Sequence, residues 1–346
     1  MKGYKGFNKG LICCGKHYAE NTVFEEETAE ICKSGMHFCE NPFDVLDYYG
    51  FVNNNGELNE FAEVEALDDS KTDDSKKYTT KKLKIGAKIN IAGLAKAFVD
   101  FTFKKVDFKN SAATNTGYRS VATNTGDYSA APSTGNRSAA TNTGNYSAAT
   151  NTGDRSAATS TGYRSAATNT GDCSAATNTG DCSAATSTGD YSAATNTGDC
   201  SAATNTGDRS SATNTGDRSA ATNTGYRSAA TNTGYRSAAT NTGDWSSATN
   251  TGNHSVATST GDCSAATSTG DYSAATVEGK ESFAIATGIE SKAKGKKGCY
   301  IAVAEWVLNE SGDYVLADFK TCKVDGEIIK EDTFYTLKNG RFVEVI

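Results

Sequence analysis

The sequence predicts a mainly β protein, in which a parallel β-solenoid of nine-residue repeats, two per coil, lies between a small α+β N-terminal domain and a β-meander C-terminal cap. Glycine recurs every nine residues from Gly117 to Gly288. Over that stretch Ala, Ser, Thr and Asn replace the large aliphatic residues that an ordinary core requires. The flanking segments have a normal globular composition. We therefore divide the chain into residues 1–108, 109–297 and 298–346.

The repeat follows the consensus Gly-[Asp/Asn/Tyr]-x-Ser-Ala-Ala-Thr-[Asn/Ser]-Thr, in which glycine is position 0 and the last threonine is position +8. Positions +3 to +8 predict a short strand with alternating faces, and the Thr-Gly-Asp that follows predicts a tight turn. In that turn we expect glycine to supply a positive φ, and Asp or Asn to bond the local backbone. A single unit is too short to close a coil, so we expect eighteen residues per coil. Coils stacked at about 4.8 Å would form a rod of about 50 Å.

Position +2 varies along the array and predicts two rows of side chains. Arg119, Arg137 and Arg155 are eighteen residues apart, and Tyr128 and Tyr146 fall between them, on the opposite side of an eighteen-residue coil. We expect both rows to face solvent and to offer binding sites to a partner; the other members we single out are Arg209, Arg218, Arg227, Arg236 and Trp245. Ser at +3 and Ala at +5 fit a narrow interior, which leaves +4, +6 and +8 on a flat outward face.

This outward face of Ala and Thr is a candidate homo-oligomer interface, because small side chains lose little rotamer entropy on burial. Val121, Val256, Phe283 and Ile285 are expected to add apolar surface to it. Its Thr-x-Thr pattern also resembles insect-type ice-binding solenoids, which implies ice as an alternative ligand. Repeat-in-toxin calcium rolls differ, since they have paired glycines and a large aliphatic residue where this repeat has one glycine and alanine. No metal site is predicted.

The last repeats carry a second resemblance. Residues 279–295 read Gly-Lys-Glu-Ser-Phe-Ala-Ile-Ala-Thr-Gly-Ile-Glu-Ser-Lys-Ala-Lys-Gly. This segment resembles the head repeats of trimeric autotransporter adhesins, which carry S-x-A-x-G and G-x-x-S motifs. The resemblance implies a solenoid that buries one strand face against copies of itself.

Residues 1–108 predict a small α+β domain. A short helix is expected over residues 41–49, begun by Asn41 and Pro42. A strand is expected over residues 61–67, a charged loop over residues 68–77, and two more strands over residues 81–103 around Gly93.

Three segments of this domain are similar, in order and spacing, to the ADP-ribosyltransferase pattern of poly(ADP-ribose) polymerases. They are Gly-Met-His-Phe-Cys at residues 35–39, Tyr48-Tyr49, and Glu-Val-Glu-Ala-Leu at residues 63–67. The resemblance implies a nucleotide site, for which the candidate residues are Lys5, His37, Tyr48, Glu63 and Glu65.

The domain departs from that family at the residues that carry its chemistry. Lys5 stands where the family has a first-strand His or Arg, and His37 stands where it has a Tyr that grips the nicotinamide. Glu63 and Glu65 fall on the wrong strand for the catalytic Glu. The resemblance therefore implies a domain without transfer chemistry, and an unrelated small α+β domain is the alternative.

Residues 298–346 predict a β-meander, with strands near residues 300–307, 314–324 and 334–345. Asp325-Gly326 and Asn339-Gly340 predict hairpin turns. The large aromatic and aliphatic residues of this segment are expected to close the open end of a thin solenoid.

Composition and charge limit the classes of partner. The formal net charge is −7 and no basic stripe is present, so nucleic acid is not an expected partner. No apolar run approaches the length of a membrane span, and residues 1–7 lack the apolar region of a signal peptide. We therefore expect no membrane association and a cytoplasmic location, in which the ten cysteines are mostly free thiols.

The function that these observations predict is structural. No nucleophile–base pair, phosphate loop or metal cluster is recognisable in the sequence. The layout resembles uncharacterised proteins of phages and prophages of gut bacteria, which implies the host cytoplasm or a virion as its place and a host-defence protein as a partner. We predict a non-enzymatic interaction protein without a cofactor, a homo-oligomer whose rod presents its rows to a protein partner. Binding of NAD or ADP-ribose, or ADP-ribosyl transfer, by the N-terminal domain is the alternative.

Overall fold

The computed structural model describes residues 1–31, 33–53, 56–73, 76–105 and 113–345. Two parallel sheets form a solenoid, with an α+β domain before it and strand hairpins after it. The predicted fold class is confirmed. The predicted domain boundary at residues 108 and 109 lies outside the described residues.

The N-terminal domain is built around one antiparallel sheet. Its strands are β1 (Lys2–Phe7), β2 (Ile12–Cys13), β3 (Lys16–His17), β4 (Thr22–Glu25), β5 (Met36–Cys39), β6 (Glu60–Ala66), β7 (Ser70–Lys71), β8 (Lys77–Thr80) and β9 (Lys82–Ile89). β2 and β3 form a small hairpin, and the other strands follow the order β4-β9-β6-β1-β5-β8-β7, so β1 is central. The predicted helix over residues 41–49 is a 3-10 helix, Pro42–Asp47, capped by the side chain of Asn41.

Residues 81–103 form a strand and a helix, so the prediction of two strands around Gly93 is wrong. The strand is β9, and the helix is α1, Ile91–Lys105. Asn90 starts the helix, because its side-chain oxygen accepts a hydrogen bond from the Gly93 N–H at 2.7 Å. Leu94 and Phe98 are buried four residues apart, which is the spacing of one helix face.

The solenoid consists of four-residue strands that cover repeat positions +4 to +7. The even-numbered strands form one sheet: β10 (Val121–Asn124), β12 (Ala139–Asn142), β14 (Ala157–Ser160), β16 (Ala175–Asn178), β18 (Ala193–Asn196), β20 (Ser211–Asn214), β22 (Ala229–Asn232), β24 (Ser247–Asn250), β26 (Ala265–Ser268) and β28 (Phe283–Ala286). The odd-numbered strands form the other: β11 (Ala130–Ser133), β13 (Ala148–Asn151), β15 (Ala166–Asn169), β17 (Ala184–Ser187), β19 (Ala202–Asn205), β21 (Ala220–Asn223), β23 (Ala238–Asn241), β25 (Val256–Ser259), β27 (Ala274–Val277) and β29 (Lys292–Gly295). Neighbouring strands of a sheet are parallel, and each residue lies beside the residue eighteen positions later. The prediction of eighteen residues per coil is confirmed.

The stacking of turns explains why glycine recurs. A Cβ on Gly198 would lie 2.1 Å from the carbonyl oxygen of Gly180 in the adjacent coil, closer than atoms can approach. The positive φ belongs instead to position +2, where φ lies between 51° and 58° in every repeat. The expectation that glycine supplies the positive φ is therefore wrong. Glycine is required because there is no room for a Cβ.

The interior contains Ser at +3 and Ala at +5, as predicted, and also the Asn or Ser at +7. In a representative repeat, the Asn178 Nδ2 donates to the carbonyl oxygens of Ser165 at 2.9 Å and Ala184 at 3.3 Å. Its Oδ1 accepts from the N–H of Gly180 at 2.8 Å. Each buried amide thus joins its own turn to the preceding and following strands, and its hydrogen bonds are satisfied.

Further side chains join one coil to the next. The Asp154 Oδ1 accepts from the N–H of Asp172 at 3.1 Å, so Asp at +1 bonds the adjacent coil and not the local backbone as expected. The Ser192 Oγ accepts from the N–H of Ser174 at 3.2 Å and donates to the carbonyl oxygen of Gly171 at 3.2 Å. These ladders pair turn backbone groups that the four-residue strands leave unpaired.

One hairpin extends each sheet at the C-terminal end. β30 (Tyr300–Leu308) and β31 (Tyr314–Lys323) continue the even-numbered sheet, and β32 (Phe334–Lys338) and β33 (Arg341–Val345) continue the odd-numbered one. Asn339-Gly340 is the predicted hairpin turn, whereas Asp325-Gly326 follows β31 and leads across to the other sheet. Ile301 and Leu337 are buried with the last interior alanines, which closes the end of the rod.

The buried Asn side chains at +7 form a ladder of amides along the interior. This ladder predicts that Ser187→Asn stabilises the protein. The serines at +7 whose buried hydroxyl has no hydrogen-bond partner among the described residues are Ser160, Ser187, Ser259 and Ser268. Asn at position 187 can form the bonds that Asn178 forms, so we expect the free energy of unfolding to rise by about 1 kcal/mol. The matched reverse change, Asn178→Ser, should lower it by a similar amount. Urea denaturation measures both, and unchanged midpoints for the two variants would contradict the role of the ladder.

Candidate functional site

The two sheets of the solenoid have different surroundings. Helix α1 packs on β15, β17 and β19, and the +4 alanines of the odd-numbered sheet, such as Ala166 and Ala202, are buried in one cluster with Phe43, Leu94 and Phe98. We call this the covered sheet. The even-numbered sheet, which we call the open sheet, keeps its +4, +6 and +8 side chains partly or fully exposed along the solenoid. These positions point away from the interior on both sheets, as expected, but on the covered sheet the +4 alanines are buried beneath the N-terminal domain, while +8 threonines such as Thr170 and Thr188 remain exposed.

Arg164 anchors the N-terminal domain to the rod. It occupies position +2 but is only 1% exposed, so the expectation that this position faces solvent is wrong here. Its Nη1 lies 2.6 Å from the Asp44 Oδ1, and its Nη2 pairs with Asp47, both on the 3-10 helix. The ring centres of Tyr146 and Tyr163 lie 5.6 Å and 5.2 Å from the guanidinium. Burial disfavours the charge, but the hydrogen bond and charge of Asp47 outweigh it and raise the pKa of Arg164.

The +2 side chains form two rows, one on each edge of the rod. We call the row that contains Arg164 the docked edge; Tyr128, Tyr146, Arg218 and Arg236 belong to it. The other row, the open edge, contains Arg119, Arg137, Arg155, Cys173, Tyr191, Arg209, Arg227 and Trp245. Beside the open edge runs a shallow groove of about 670 Å³, whose floor is formed by +3 and +4 residues of the open sheet.

The residues expected to form one apolar oligomer face lie on two sheets. Val121, Phe283 and Ile285 are on the open sheet, where Phe283 stacks on Tyr300 with ring centres 5.3 Å apart. Val256 is on the covered sheet, beside Gly56 of the N-terminal domain, so its assignment to the same face is wrong. The reason is that successive nine-residue units alternate between the sheets.

Three of the predicted nucleotide-site residues line one cleft of the N-terminal domain. Lys5 on β1, His37 on β5 and Tyr48 after the 3-10 helix border a space of about 560 Å³. Lys5 is 5% exposed and donates a hydrogen bond of 2.8 Å to the carbonyl oxygen of His37. Its Nζ lies 5.6 Å from the ring centre of Tyr18, and the Lys77 Nζ lies 4.6 Å from that of Tyr48. Cations and aromatic rings in one cleft suit an anionic ligand that carries a flat ring.

Burial controls the ionisation of the groups around this cleft. It lowers the pKa of His37, and the charge of Lys5 adds to the effect, so the imidazole is neutral at pH 7. Burial raises the pKa of Tyr18 and Tyr49, and Cys13 raises both further. The two phenols therefore stay protonated and can donate hydrogen bonds. Sequence reasoning missed Tyr18 and Cys13, which no motif marks.

Glu63 and Glu65 lie away from the Lys5 cleft. Both are on β6, where Glu63 pairs with Tyr4 and the neighbouring Ala62 pairs with Lys5. Because side chains alternate along a strand, the two carboxylates are on the sheet face opposite Lys5. They border a separate cleft of about 610 Å³, together with Asp100. The structure thus divides the five candidate residues between two sites.

Residues 1–31, 33–53, 56–73, 76–105 and 113–345, which the structure describes, contain no membrane-spanning helix, metal cluster or disulfide. Within those ranges, no helix is long and apolar enough to cross a membrane. The same residues place no three His, Cys, Asp or Glu side chains where they could hold a metal ion together. No disulfide joins the nine cysteines whose positions are described.

The fold and these surfaces define a β-solenoid protein that carries a small α+β domain docked on one sheet. Residues 1–97 match the model of a family described as a domain of unknown function (DUF7666). The match covers the antiparallel sheet and the first part of α1, and it ends before the solenoid. No curated protein and no solved structure matches the chain.

Docking through Arg164 predicts that Arg164→Met loosens the N-terminal domain. The change leaves Asp44 buried without the guanidinium, and breaking a buried pair in this way costs about 3–5 kcal/mol. We expect faster amide hydrogen exchange in α1 and in the strands beneath it. Arg155→Met is the matched control, because Arg155 has the same turn position, with φ 54°, and is exposed on the open edge. Exchange in α1 that is as slow in Arg164→Met as in the parent protein would exclude the anchor.

Proposed function

We propose that this chain is a non-enzymatic interaction protein whose open sheet binds a protein partner, in the first place a second copy of itself. The observation that carries the proposal is the inequality of the two sheets. The repeats are the same in both, yet one sheet is buried by the N-terminal domain and the other presents its side chains. The Ala and Thr side chains of the covered sheet already pack against protein. This supports protein binding by the same side chains on the open sheet.

The size and composition of the open sheet support this proposal. Ten strands at about 4.8 Å and five positions at about 3.3 Å give a flat surface of roughly 800 Å², which is what one partner buries in a complex of standard size. Larger apolar side chains are exposed near its ends, where Val121 is 62% and Phe283 is 49% exposed. In an antiparallel pair of copies, Phe283 of one copy would approach Val121 of the other.

Two other occupants of the same face follow from the resemblances. A host-defence protein is the partner implied by the likeness to phage and prophage proteins. Ice is implied by the Thr-x-Thr columns, in which Thr213 and Thr215 represent neighbouring positions on the open sheet. The row of arginines beside these columns supports a protein partner, since arginine is enriched at protein interfaces. Thermal hysteresis in a solution of the purified protein would favour ice instead.

Self-association through the open sheet predicts that Thr213→Arg gives a monomer. A long charged side chain at the centre of a flat interface prevents close approach of the two sheets. Multi-angle light scattering at micromolar concentration should show an oligomer for the parent protein and for Thr213→Ser, the matched control that keeps a small hydroxyl side chain. A monomeric mass for the parent protein, or an oligomer that survives Thr213→Arg, would remove the second copy as the partner.

A second candidate function is binding of ADP-ribose or NAD in the cleft of the N-terminal domain, which the resemblance to ADP-ribosyltransferases implies. The buried ammonium of Lys5 favours it. Among the described residues, the Lys5 ammonium donates one hydrogen bond, to the His37 carbonyl oxygen. It therefore has further N–H groups that can donate to a phosphate. The position of Glu63 and Glu65 on the opposite sheet face supports binding without transfer of ADP-ribose.

Binding in this cleft predicts that Lys5→Met weakens the affinity for ADP-ribose at least tenfold, because the buried cation is lost. Isothermal titration calorimetry of the full-length protein measures the affinity. Lys2→Met is the matched control on the same strand, where the side chain is exposed, and it should change the affinity by less than twofold. If Lys5→Met reduces the thermal stability, Lys16→Met removes a second cleft cation without touching β1. An absence of heat with ADP-ribose and with NAD for the parent protein would contradict this function.

A further inference from the structure

The Arg164 anchor is repeated on the open edge without its acidic partner. Arg209 also occupies position +2, with φ 53° where Arg164 has 51°. The Arg209 Nη1 donates to the hydroxyl of Tyr191, one coil earlier, as the Arg164 Nη1 donates to that of Tyr146 at 3.3 Å. The guanidinium lies 5.3 Å from the ring centre of Tyr191 and, at the anchor, 5.6 Å from that of Tyr146. The two sites therefore share a backbone conformation, a cation and an aromatic neighbour.

Adjacent coils enlarge this second site. Tyr191, Arg209, Arg227 and Trp245 occupy position +2 on four successive coils, and we call them the open-edge cluster. Trp245 is 60% exposed, and Tyr191 is 58% exposed. Trp, Tyr and Arg are the side chains that most often dominate the binding energy of protein interfaces.

The arginines of the cluster have no carboxylate partner in the part of the chain that the structure describes. None of the ion pairs formed there within 4.0 Å includes Arg209 or Arg227. The nearby Asp190 and Asp208 are engaged elsewhere: Asp190 accepts from the N–H of Asp208 and Asp208 from that of Tyr226, both at 2.9 Å. The guanidinium groups therefore keep donors available at the groove.

The backbone at position +2 supports a binding role for these side chains. A non-glycine residue with left-handed backbone is disfavoured by about 1 kcal/mol, and Gly or Asn would avoid most of that strain. Every +2 residue has φ between 51° and 58°, yet none of them is Gly, Asn or Asp. Cysteine occupies four of these positions, and large side chains, Arg209, Arg227 and Trp245 among them, occupy the others against the local preference, as is typical of binding sites.

We propose that the open-edge cluster binds an acidic segment of a partner protein, one that presents two carboxylates about one helical turn apart. The anchor supplies the chemistry, since Asp44 and Asp47 on the 3-10 helix fill the guanidinium fork of Arg164. On the open edge Arg209 and Arg227 offer two such forks, and Trp245 offers an apolar surface to the residues between the acids. This inference rests on the proposed function, because it names where and through which chemistry a protein partner binds.

The test uses the full-length protein and a synthetic peptide with the sequence of residues 41–49, which contains the acid pair of the anchor. The anchor itself is filled by the chain's own Asp44 and Asp47, so added peptide reports on other sites. We expect saturable binding at low ionic strength, followed by calorimetry and by the intrinsic fluorescence of the two tryptophans, Trp245 and Trp306. The double variant Arg209→Met/Arg227→Met should weaken it at least tenfold. Arg218→Met, exposed at the same turn position on the docked edge, is the matched control and should change it by less than twofold.

Three results would overturn the inference. The first is that a peptide with Asn in place of both Asp residues binds as tightly as the original peptide. The second is that the double variant binds the original peptide with unchanged affinity. The third is that polyphosphate binds the cluster more tightly than the peptide does. Light scattering separates this inference from the proposed function. If the peptide does not bind although Thr213→Arg still gives a monomer, the inference fails and the proposed function stands.

Discussion

The close approach of each turn to the turn of the neighbouring coil is the constraint on which the rest of the structure depends. The α-carbon at position 0 lies so near the carbonyl oxygen of the adjacent coil that only glycine fits. Glycine there has ordinary backbone, so the reversal of the chain is completed at +2, whose residue must adopt the left-handed conformation. The side chain at +1 then bonds an N–H group of the following coil, and the side chain at +3 bonds one of the preceding coil. A core of alanine suffices because these ladders satisfy the backbone that it cannot shield.

The unbroken period, with the turn residues and the alternation at +2, predicted the solenoid and its eighteen-residue coil, because stacking tolerates no change in the length of a repeat. The interior place of Ser at +3 was predicted as well, but that of Asn or Ser at +7 was not. Asn at +7 is a typical turn residue, and only the three-dimensional coil shows that its amide spans three segments at once. A recurring glycine has two common causes, positive φ and lack of space, and one sequence does not distinguish them. Residues 91–105 carried a helical spacing of apolar residues, but Gly93 within the segment suggested a break between strands.

The candidate sites were predictable only as far as local pattern reaches. The rows at +2 follow from counting, and Lys5, His37 and Tyr48 do meet in one cleft. Arg164 has the same repeat sequence as the exposed Arg227, and what distinguishes it is the 3-10 helix that docks there. The burial of Tyr18, which completes the cleft, likewise depends on contacts between segments far apart in the chain. Tertiary contact, and not residue type, separates a solvated arginine from an anchor.

The anchor has a further consequence, which concerns position along the rod. The domain packs on alanines that repeat every coil on the covered sheet, so a slip by one coil would keep nearly all of those apolar contacts. The same slip would present Tyr146 or Cys182 to Asp44 and Asp47 in place of Arg164, and would leave the buried carboxylate of Asp44 without a cation. A buried ion pair adds little net stability, because desolvation offsets most of its attraction, but breaking it is strongly unfavourable. Arg164 therefore selects one register out of many that the alanines alone would allow. A partner that binds the open sheet could likewise bind in several registers, each shifted by one coil. On that side too, the residues at +2 are the ones that differ from coil to coil.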